Sequence, residues 1–564
     1  MNYQNMQTGR MIRTWPLETG APVSVTLGDD EVKCYTLTLE SEAVAGLFLE
    51  VNGLRGSLTI FNPEGVPLRS SEIDSDGQYS LAFVAEKSGA YRVQLKAQCC
   101  CLERGNYTIT LKEIATLEER VKAVLAPRLE GTRIQKLRAD LALDPAAALA
   151  EFWQEMNHGS SPLLETDPLS PHLTRCTFVW RGTEQTRNVQ VRLLFRTTLP
   201  NEYAMTQLED TDVWYTTIQL PSCGRFSYML LPNAPLLPQP EFDSPAEHKL
   251  RYLVSAQADP LNPRRCYDAI SKYEAMSLLE LPGTSPQPWI DERREVSRGT
   301  LKRYPFKSKA LNDDRFVSVY TPPGYSEKAK PYGLLLVFDE QWYLTRVPTP
   351  TILDNLLAEG EIPPLLVVLI GNGPGEARSR QLPCNPRFAE FMATELLPWV
   401  QQNYCVTGDP GRIILAGSSY GGLASAYVAL QYPELFGNVL SQSGSFWWRL
   451  PEKPGQILPN PSGETNYIAS SFARSPRLPL RFYLDAGSGE IDLTGKGRSI
   501  LFNTRYLRDV LLAKGYQVHY REFIGGHDFL NWRGTLADGL ILLTADWSET
   551  DHRTIGENRV RKGD

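Results

Sequence analysis

Arg412-Ile413-Ile414-Leu415-Ala416-Gly417-Ser418-Ser419-Tyr420-Gly421-Gly422 decides the reading of this chain. An apolar run of strand length ends at Gly417, a serine follows between small residues, and Ala424, Ala426 and Ala429 continue in a helix-compatible segment. Strand, sharp turn and helix, with Gly-x-Ser-x-Gly at the turn, hold a serine hydroxyl at the top of a parallel sheet in a strained conformation that only small neighbours permit. Ser419 is the candidate nucleophile, and the domain around it is expected to be a mostly parallel sheet flanked by helices.

A nucleophilic serine needs a base, and in this architecture the chain order is serine, acid, histidine. Of the 6 histidines, His158, His172 and His248 precede Ser419, His519 lies in an alternating strand-like run, and His552 lies in the polar tail. His527, in Ile524-Gly525-Gly526-His527-Asp528, follows that strand directly in a glycine-flexed loop, where open α/β sheets carry their chemistry. The acid that orients it should follow the strand Leu480-Arg481-Phe482-Tyr483-Leu484-Asp485. Loop position favours Glu490, then Asp492, then Asp485 at the strand's end. One oxyanion donor is expected from the N–H of Tyr420, after the nucleophile. The second should come from the loop after the strand Gly333–Asp339, from Gln341 or Trp342.

These residues carry a family resemblance. Residues 145–550 resemble the enterochelin (enterobactin) esterases, which hydrolyse a ferric catecholate siderophore. The resemblance rests on Ala416 to Leu423 (AGSSYGGL), Val439 to Trp448 (VLSQSGSFWW), Gln381 to Asn385 (QLPCN), Gly525 to Gly534 (GGHDFLNWRG) and Asp259 to Pro263 (DPLNP). The serine motif is shared across esterase-D-like hydrolases, whereas the combination of the other segments is far more specific. The resemblance implies an α/β-hydrolase catalytic domain and maps the family's acid onto Glu490, after Gly487. It also implies an Asp-Gly pair where this chain has Asp339-Glu340, a departure that bears on the geometry of the oxyanion loop. The substrate it implies, a cyclic trilactone of catechol-capped serines that is anionic when it holds Fe(III), calls for aromatic and cationic side chains. Trp447, Trp448 and Arg449 follow a strand end, Arg378 and Arg380 (with Arg387) flank the LPCN segment, and Arg378 matches an arginine of the family. No resident cofactor or metal is expected, the iron being carried by the substrate.

At 564 residues, with hydrophobic content of 42% and charged content of 22%, the chain is that of a globular protein with several domains. A net charge of −7 argues against a general nucleic-acid binder. No apolar run reaches the roughly 18 residues of a membrane span, and Met1 to Pro16 lacks the apolar core of an ordinary secretory signal. The 9 cysteines have no metal-ligand spacing; apart from the unusual adjacent run Cys99-Cys100-Cys101 they are scattered as in a reduced cytoplasmic protein, with the periplasm as the alternative.

Two β-sandwich domains are expected ahead of the catalytic domain. Residues 1–114 show short alternating strands between Asn-Gly, Pro-Glu-Gly and Ser-Gly turns, and resemble prepeptidase C-terminal-type domains through Gly56 to Asn62 and Gly89 to Val93. Those domains usually accompany secreted enzymes, which favours the periplasm. Residues 115–157 read as a helical connector, and 158–290 as an immunoglobulin-like domain of the enterochelin esterase type. The catalytic domain is assigned to 291–550 and a disordered tail to 551–564. Three functions compete at this stage: a siderophore esterase, a same-fold esterase for feruloyl, acyl-thiol or xenobiotic esters, and a ligand-binding protein with a vestigial site. The three intact catalytic candidates oppose the last, and the SQSGSFWW and LPCN segments favour the first.

Overall fold

The structure is a computed structural model. It describes residues 6–7, 10–11, 14–28, 31–41, 43–53, 55–73, 77–85, 87–97, 105–115, 129–159, 161–167, 169–195, 203–234, 256–266, 276–450, 466–491 and 498–547. His248, His552, Asp492, Cys99-Cys100-Cys101 and the tail lie outside the described residues.

Near the N-terminus a five-stranded sheet (Thr14–Pro16, Val32–Leu39, Gly89–Ala97, Gly56–Phe61, Pro67–Ile73, in spatial order) faces a four-stranded one (Pro22–Leu27, Gly105–Ala115, Val44–Asn52, Gly77–Val84). Alternation puts one side chain in two into a shared core of Leu27, Leu47, Leu49, Leu58, Ile60, Val93 and Ile109. The buried hydroxyls of Tyr35 and Tyr107 satisfy each other at 2.7 Å. Pro67–Ile73, Pro-Leu-Arg-Ser-Ser-Glu-Ile, is an edge strand the sequence did not announce, because Leu68 and Ile73, which both pack on the core, do not alternate with period two.

The helices Thr132–Leu141 and Pro145–Asn157 do not merely connect. Their Ile134, Leu137, Phe152 and Met156 share an apolar cluster with Val179, Val213 and Tyr215 of the next β region. That region holds a four-stranded sheet (Leu163–Thr166, Leu173–Arg181, Val213–Pro221, Thr206–Gln207) and a three-stranded one (Val189–Leu193, Arg225–Pro232, Ser277–Glu280). Phe178, Val191, Ile218, Phe226 and Leu230 fill the space between them. Asp259, of the DPLNP segment, is buried there and accepts from Ser161 Oγ (2.6 Å), Tyr228 OH (2.8 Å) and Leu261 N (2.8 Å). That segment is a structural pin.

The largest sheet has eight strands, numbered within it β1 (Thr300–Ser308), β2 (Asp313–Thr321), β3 (Gly333–Phe338), β4 (Leu365–Ile370), β5 (Ile413–Ser418), β6 (Asn438–Gln442), β7 (Arg481–Gly487) and β8 (Gln517–Phe523), in the order β1-β2-β4-β3-β5-β6-β7-β8. From β4 onward neighbouring strands pair in parallel, whereas β2 runs antiparallel to both β1 and β4. Strands β3 to β6 are buried at every residue, which is why Leu334–Val337 and Leu365–Ile370 read as continuous apolar runs: helices cover both faces. Four helices matter below: α1 (Glu340–Thr345), α2 (Tyr420–Gln431), α3 (Ile500–Ala513) and α4 (Phe529–Thr544). The strand order reverses beside β3 and β5, and the loops at the carboxyl ends of β3, β5, β6, β7 and β8 carry the candidate site.

Candidate active site

Ser419 sits between β5 and α2 with φ 57° and ψ −120°, a conformation unfavourable for any residue with a side chain. The turn closes because its neighbours are small. A Cβ on Gly417 would lie 2.8 Å from the carbonyl carbon of Gly421, and one on Gly422 would lie 2.5 Å from Ser441 Oγ. The strain is held by backbone bonds on both sides: Ser419 N donates to Gln442 O (3.0 Å), and Ser445 N donates to Ser419 O (3.0 Å).

His527 Nδ1 lies 2.5 Å from Glu490 Oε1, and the other carboxylate oxygen accepts from Gly487 N at 2.6 Å. The Glu490 side chain is 2% exposed and that of His527 39%, so the acid is sealed while the ring reaches solvent. With Nδ1 committed to Glu490, Nε2 is the nitrogen left for a proton from a nucleophile. The imidazole stands edge-on to Trp532, 4.8 Å between centroids, and Trp532 Nε1 donates to Ser443 Oγ at 2.9 Å. Ser419 Oγ is paired with Ser445 Oγ at 3.2 Å rather than with His527; such a bond commonly tightens only when substrate arrives.

Of the three acids considered, Asp485 is not the one that meets His527. It is fully buried, its Oδ1 accepts from Ser443 N at 2.9 Å, and burial pushes its carboxyl up to about 8, whereas the imidazole is held by Glu490. His519 is on β8, with Nε2 3.3 Å from Gln517 Nε2, away from this cluster.

The loop after β3 corrects one of the two oxyanion candidates. Asp339 is left-handed (φ 63°), and its carbonyl accepts from Trp342 N (2.9 Å) and Tyr343 N (3.1 Å). Trp342 therefore has no N–H to offer an oxyanion. Gln341, like Tyr420 in α2, is a first-turn residue whose N–H has no intrahelical acceptor. The loop lies against the nucleophile turn, since a Cβ on Gly421 would be 3.5 Å from Asp339 Oδ2.

The expected binding residues divide. Arg378 does not present a free cation: its guanidinium grips both oxygens of Asp339, at 2.7 and 2.8 Å, and lies 5.8 Å from the Tyr420 ring centroid. Trp448 is 7% exposed and packs in the core with Tyr467. Trp447 is half-buried with its ring 6.1 Å from that of Tyr420, and Arg498 lies 5.5 Å over it. Arg380 is exposed and Arg449 half-buried.

Sequence reasoning missed Arg498, which sits in a polar stretch without a motif. It also missed what the SQSGS segment does. The fully buried Gln442 donates from Nε2 to Trp532 O and Thr535 Oγ1 (both 2.7 Å), accepts from Tyr343 OH at Oε1 (2.7 Å), and holds Ser419 N with its carbonyl. One residue thereby joins α4, α1 and the serine turn. The signal was present in the quoted segment, but it gave no direction for the side chain.

This fold and the machinery at its carboxyl edge define a carboxylic-ester hydrolase of the α/β-hydrolase type. The Esterase family matches residues 308–543, and the family described as enterochelin esterase, N-terminal, matches residues 175–290. The iron(III) enterobactin esterase of Dickeya dadantii is 31% identical over 438 residues, covering 72% of this chain and 96% of the relative. Among solved structures, the enterobactin esterase of Shigella flexneri in the presence of enterobactin is similar at 29% identity and a TM-score of 0.54, over 70% of this chain and 97% of that one. The ferric enterobactin esterase of Salmonella typhimurium is similar at 28% identity and a TM-score of 0.56, over 68% and 96%. The chain belongs to the enterochelin esterase family.

Proposed function

We propose that this enzyme hydrolyses the ester bonds of ferric catecholate siderophores of the enterobactin class, releasing their iron. The observation that carries the reading is the His527–Glu490 pair at 2.5 Å, on the same sheet edge as the strained Ser419 and beside an aromatic, cationic wall of Tyr420, Trp447 and Arg498. Ser419 Oγ attacks a lactone carbonyl while its proton passes to His527 Nε2, and Glu490 stabilises the imidazolium through Nδ1–H. The N–H groups of Tyr420 and Gln341 receive the oxyanion. Collapse expels the seryl hydroxyl of the opened ring, protonated by His527, and water then releases the acyl group. Catechol rings are suited to the Trp447 and Tyr420 faces, and the anionic complex to Arg498, Arg449 and Arg380. No resident cofactor is invoked, since the iron is the substrate's own.

Residues 1–114 and 158–290 are read as the two β-sandwich domains of this enzyme. No helix among the described residues is long and apolar enough to cross a membrane. The buried free thiols of Cys34, Cys176, Cys266 and Cys384 suit a reducing compartment, and the cytoplasm is the one proposed. The test is incubation of the pure protein with ferric enterobactin and, separately, p-nitrophenyl esters, with products separated by chromatography. Catechol-capped serine and its linear oligomers from ferric enterobactin are expected. Turnover of the simple esters alone would make it a general esterase, and turnover of neither a binding protein.

A further inference from the structure

At position 340 the chain carries glutamate where the resemblance implies glycine. The structure gives that side chain a built receptacle. Glu340 is 3% exposed, and its carboxylate is gripped by Arg303 of β1, Nε to Oε1 at 2.9 Å and the terminal nitrogen to Oε2 at 3.0 Å. Ser318 Oγ of β2 donates to Oε1 as well. Gly371, just past β4, leaves the space: a Cβ there would be 3.0 Å from Glu340 Oε2 and 2.7 Å from Phe316 O. A buried carboxylate is costly unless paired and hydrogen-bonded, and this one accepts three bonds.

The placement of this clamp matters more than its strength. Helix α1 has only 6 residues, too few to hold its own geometry. Its far end is tied to the serine's neighbourhood, because Tyr343 OH donates to Gln442 Oε1 at 2.7 Å and Gln442 O holds Ser419 N. Its near end is tied twice, by Asp339 to Arg378 and Asn372 and by Glu340 to Arg303 and Ser318. Asp339 and Glu340 reach different elements, so together they fix the peptide that follows, that of Gln341. We propose that Glu340 is a positioning residue: with Arg303 and Ser318 it holds the Gln341 N–H in register with the Ser419 turn. An alternative role is that of a stabilising ion pair for the antiparallel edge, and the two roles give different kinetics. This proposal rests on the esterase reading above.

The test uses the full chain, p-nitrophenyl acetate as substrate, and a phenylboronic acid as a stand-in for the tetrahedral adduct on Ser419. Arg303 has a side chain 56% exposed, so it can return to water when its partner is removed, and Glu340→Met retains much of the side-chain volume. Deleting an oxyanion donor outright costs about 10²–10³ in kcat, so a donor merely let loose should cost about tenfold. Glu340→Met should lower kcat by about tenfold with KM within about twofold, and weaken the boronic acid by a similar factor. Glu340→Gln, which keeps an acceptor for Ser318 and Arg303, should lose about twofold to threefold, and adding Arg303→Met to Glu340→Met should cost little more. Unchanged kcat and boronic acid affinity in folded Glu340→Met, or in Glu340→Gln and Arg303→Met should the first not fold, would overturn the proposal and leave an edge ion pair. If instead wild type turns over no ester, or Ser419→Ala is as active as wild type, it is the esterase reading that fails.

Discussion

Two stretches of largely antiparallel sheet precede the esterase sheet, and they stand in opposite relations to it. Among the described residues, the strands from 14 to 115 pair only with one another, and their apolar core runs from Leu17 to Leu111 without a residue from elsewhere. The strands between 163 and 280 also have their own core, but their ends press on the candidate catalytic loops. The carbonyls of Leu194 and Phe195 would lie 2.5 and 2.4 Å from a Cβ on Gly526, next to His527. The Phe195 carbonyl and ring would each lie 2.3 Å from a Cβ on Gly489, next to Glu490. Ser227 Oγ donates to Asp528, the N-cap of α4, and Gln287 Nε2 donates to Leu530 O at 2.8 Å. The second region is thus a backstop for the acid and the histidine, whereas the first is not joined to them, among the described residues, by any strand pairing or shared core.

This changes the meaning of the glycines around His527. From sequence, Gly525-Gly526 reads as a flexible loop. Neither residue has a left-handed φ, and neither does Gly489. They are glycine because something solid lies where a Cβ would be: Asn531 Nδ2 at 2.5 Å for Gly525, and main chain of the other domain for Gly526 and Gly489. Rigidity imposed from outside, rather than freedom, is what the glycines permit.

The scale for breaking the comparison is set by the chemistry itself. Ser419→Ala should remove about 10⁴ or more of kcat, His527→Ala should do about the same, and the double variant should be scarcely worse, measured as steady-state ester turnover. Additive losses would mean that the two do not act as one unit.

Gly526→Ala should come next. The new methyl meets backbone oxygens that cannot rotate away, so the histidine loop must shift, and a displacement of about 1 Å costs on the order of a hundredfold in kcat/KM. No residue from 14 to 115 should show a comparable effect. If Gly526→Ala is within twofold of wild type, the second region is not a backstop.

Ser227→Ala is a gentler probe of the same contact. It takes one donor from the buried Asp528 carboxylate at the start of α4, a loss worth about 1–3 kcal/mol of stability with a smaller effect on turnover. Urea unfolding followed by fluorescence would measure it. An unchanged midpoint would show the bond to be incidental.

Legibility in the sequence followed the same division. The positions of Ser419, His527 and Glu490 in the turns past strand ends could be read because local patterns carried them: a strand, a turn, and a chain order that the sheet enforces. The buried strands of the sheet could be read from unbroken apolar runs, but their order, with β4 outside β3, could not. Contacts across the fold were not legible. Arg378 looked like a free cation because nothing local shows that Asp339, far away in sequence, would take both its donors. Trp447 and Trp448 are adjacent and chemically identical, yet only the structure shows one facing Arg498 and the other entering the core. Trp342 lost its donor to a left-handed aspartate, a backbone event without a residue signature. Phe195 and Ser227 had no motif because their role is defined by the surface they meet.

The smallest effect should come from the largest deletion. A chain starting at Thr116 lacks the whole first region, including the buried Tyr35–Tyr107 pair and the core around it. That core is closed on itself, so its removal exposes no apolar surface of the second region that it had covered as part of a common core. The helices Thr132–Leu141 and Pro145–Asn157 must stay, since they belong to the second region's apolar cluster with Val179 and Tyr215. The shortened chain should keep kcat within about threefold and KM nearly unchanged, because among the described residues neither the backstop nor the loops lose a strand pairing or a shared core. Thermal unfolding should show one transition fewer rather than a lowered midpoint for what remains. If the shortened chain retains the circular dichroism of the remaining domains yet loses about a hundredfold, some 2.7 kcal/mol of transition-state stabilisation, then the first region reaches the active site after all and the contrast between the two regions collapses.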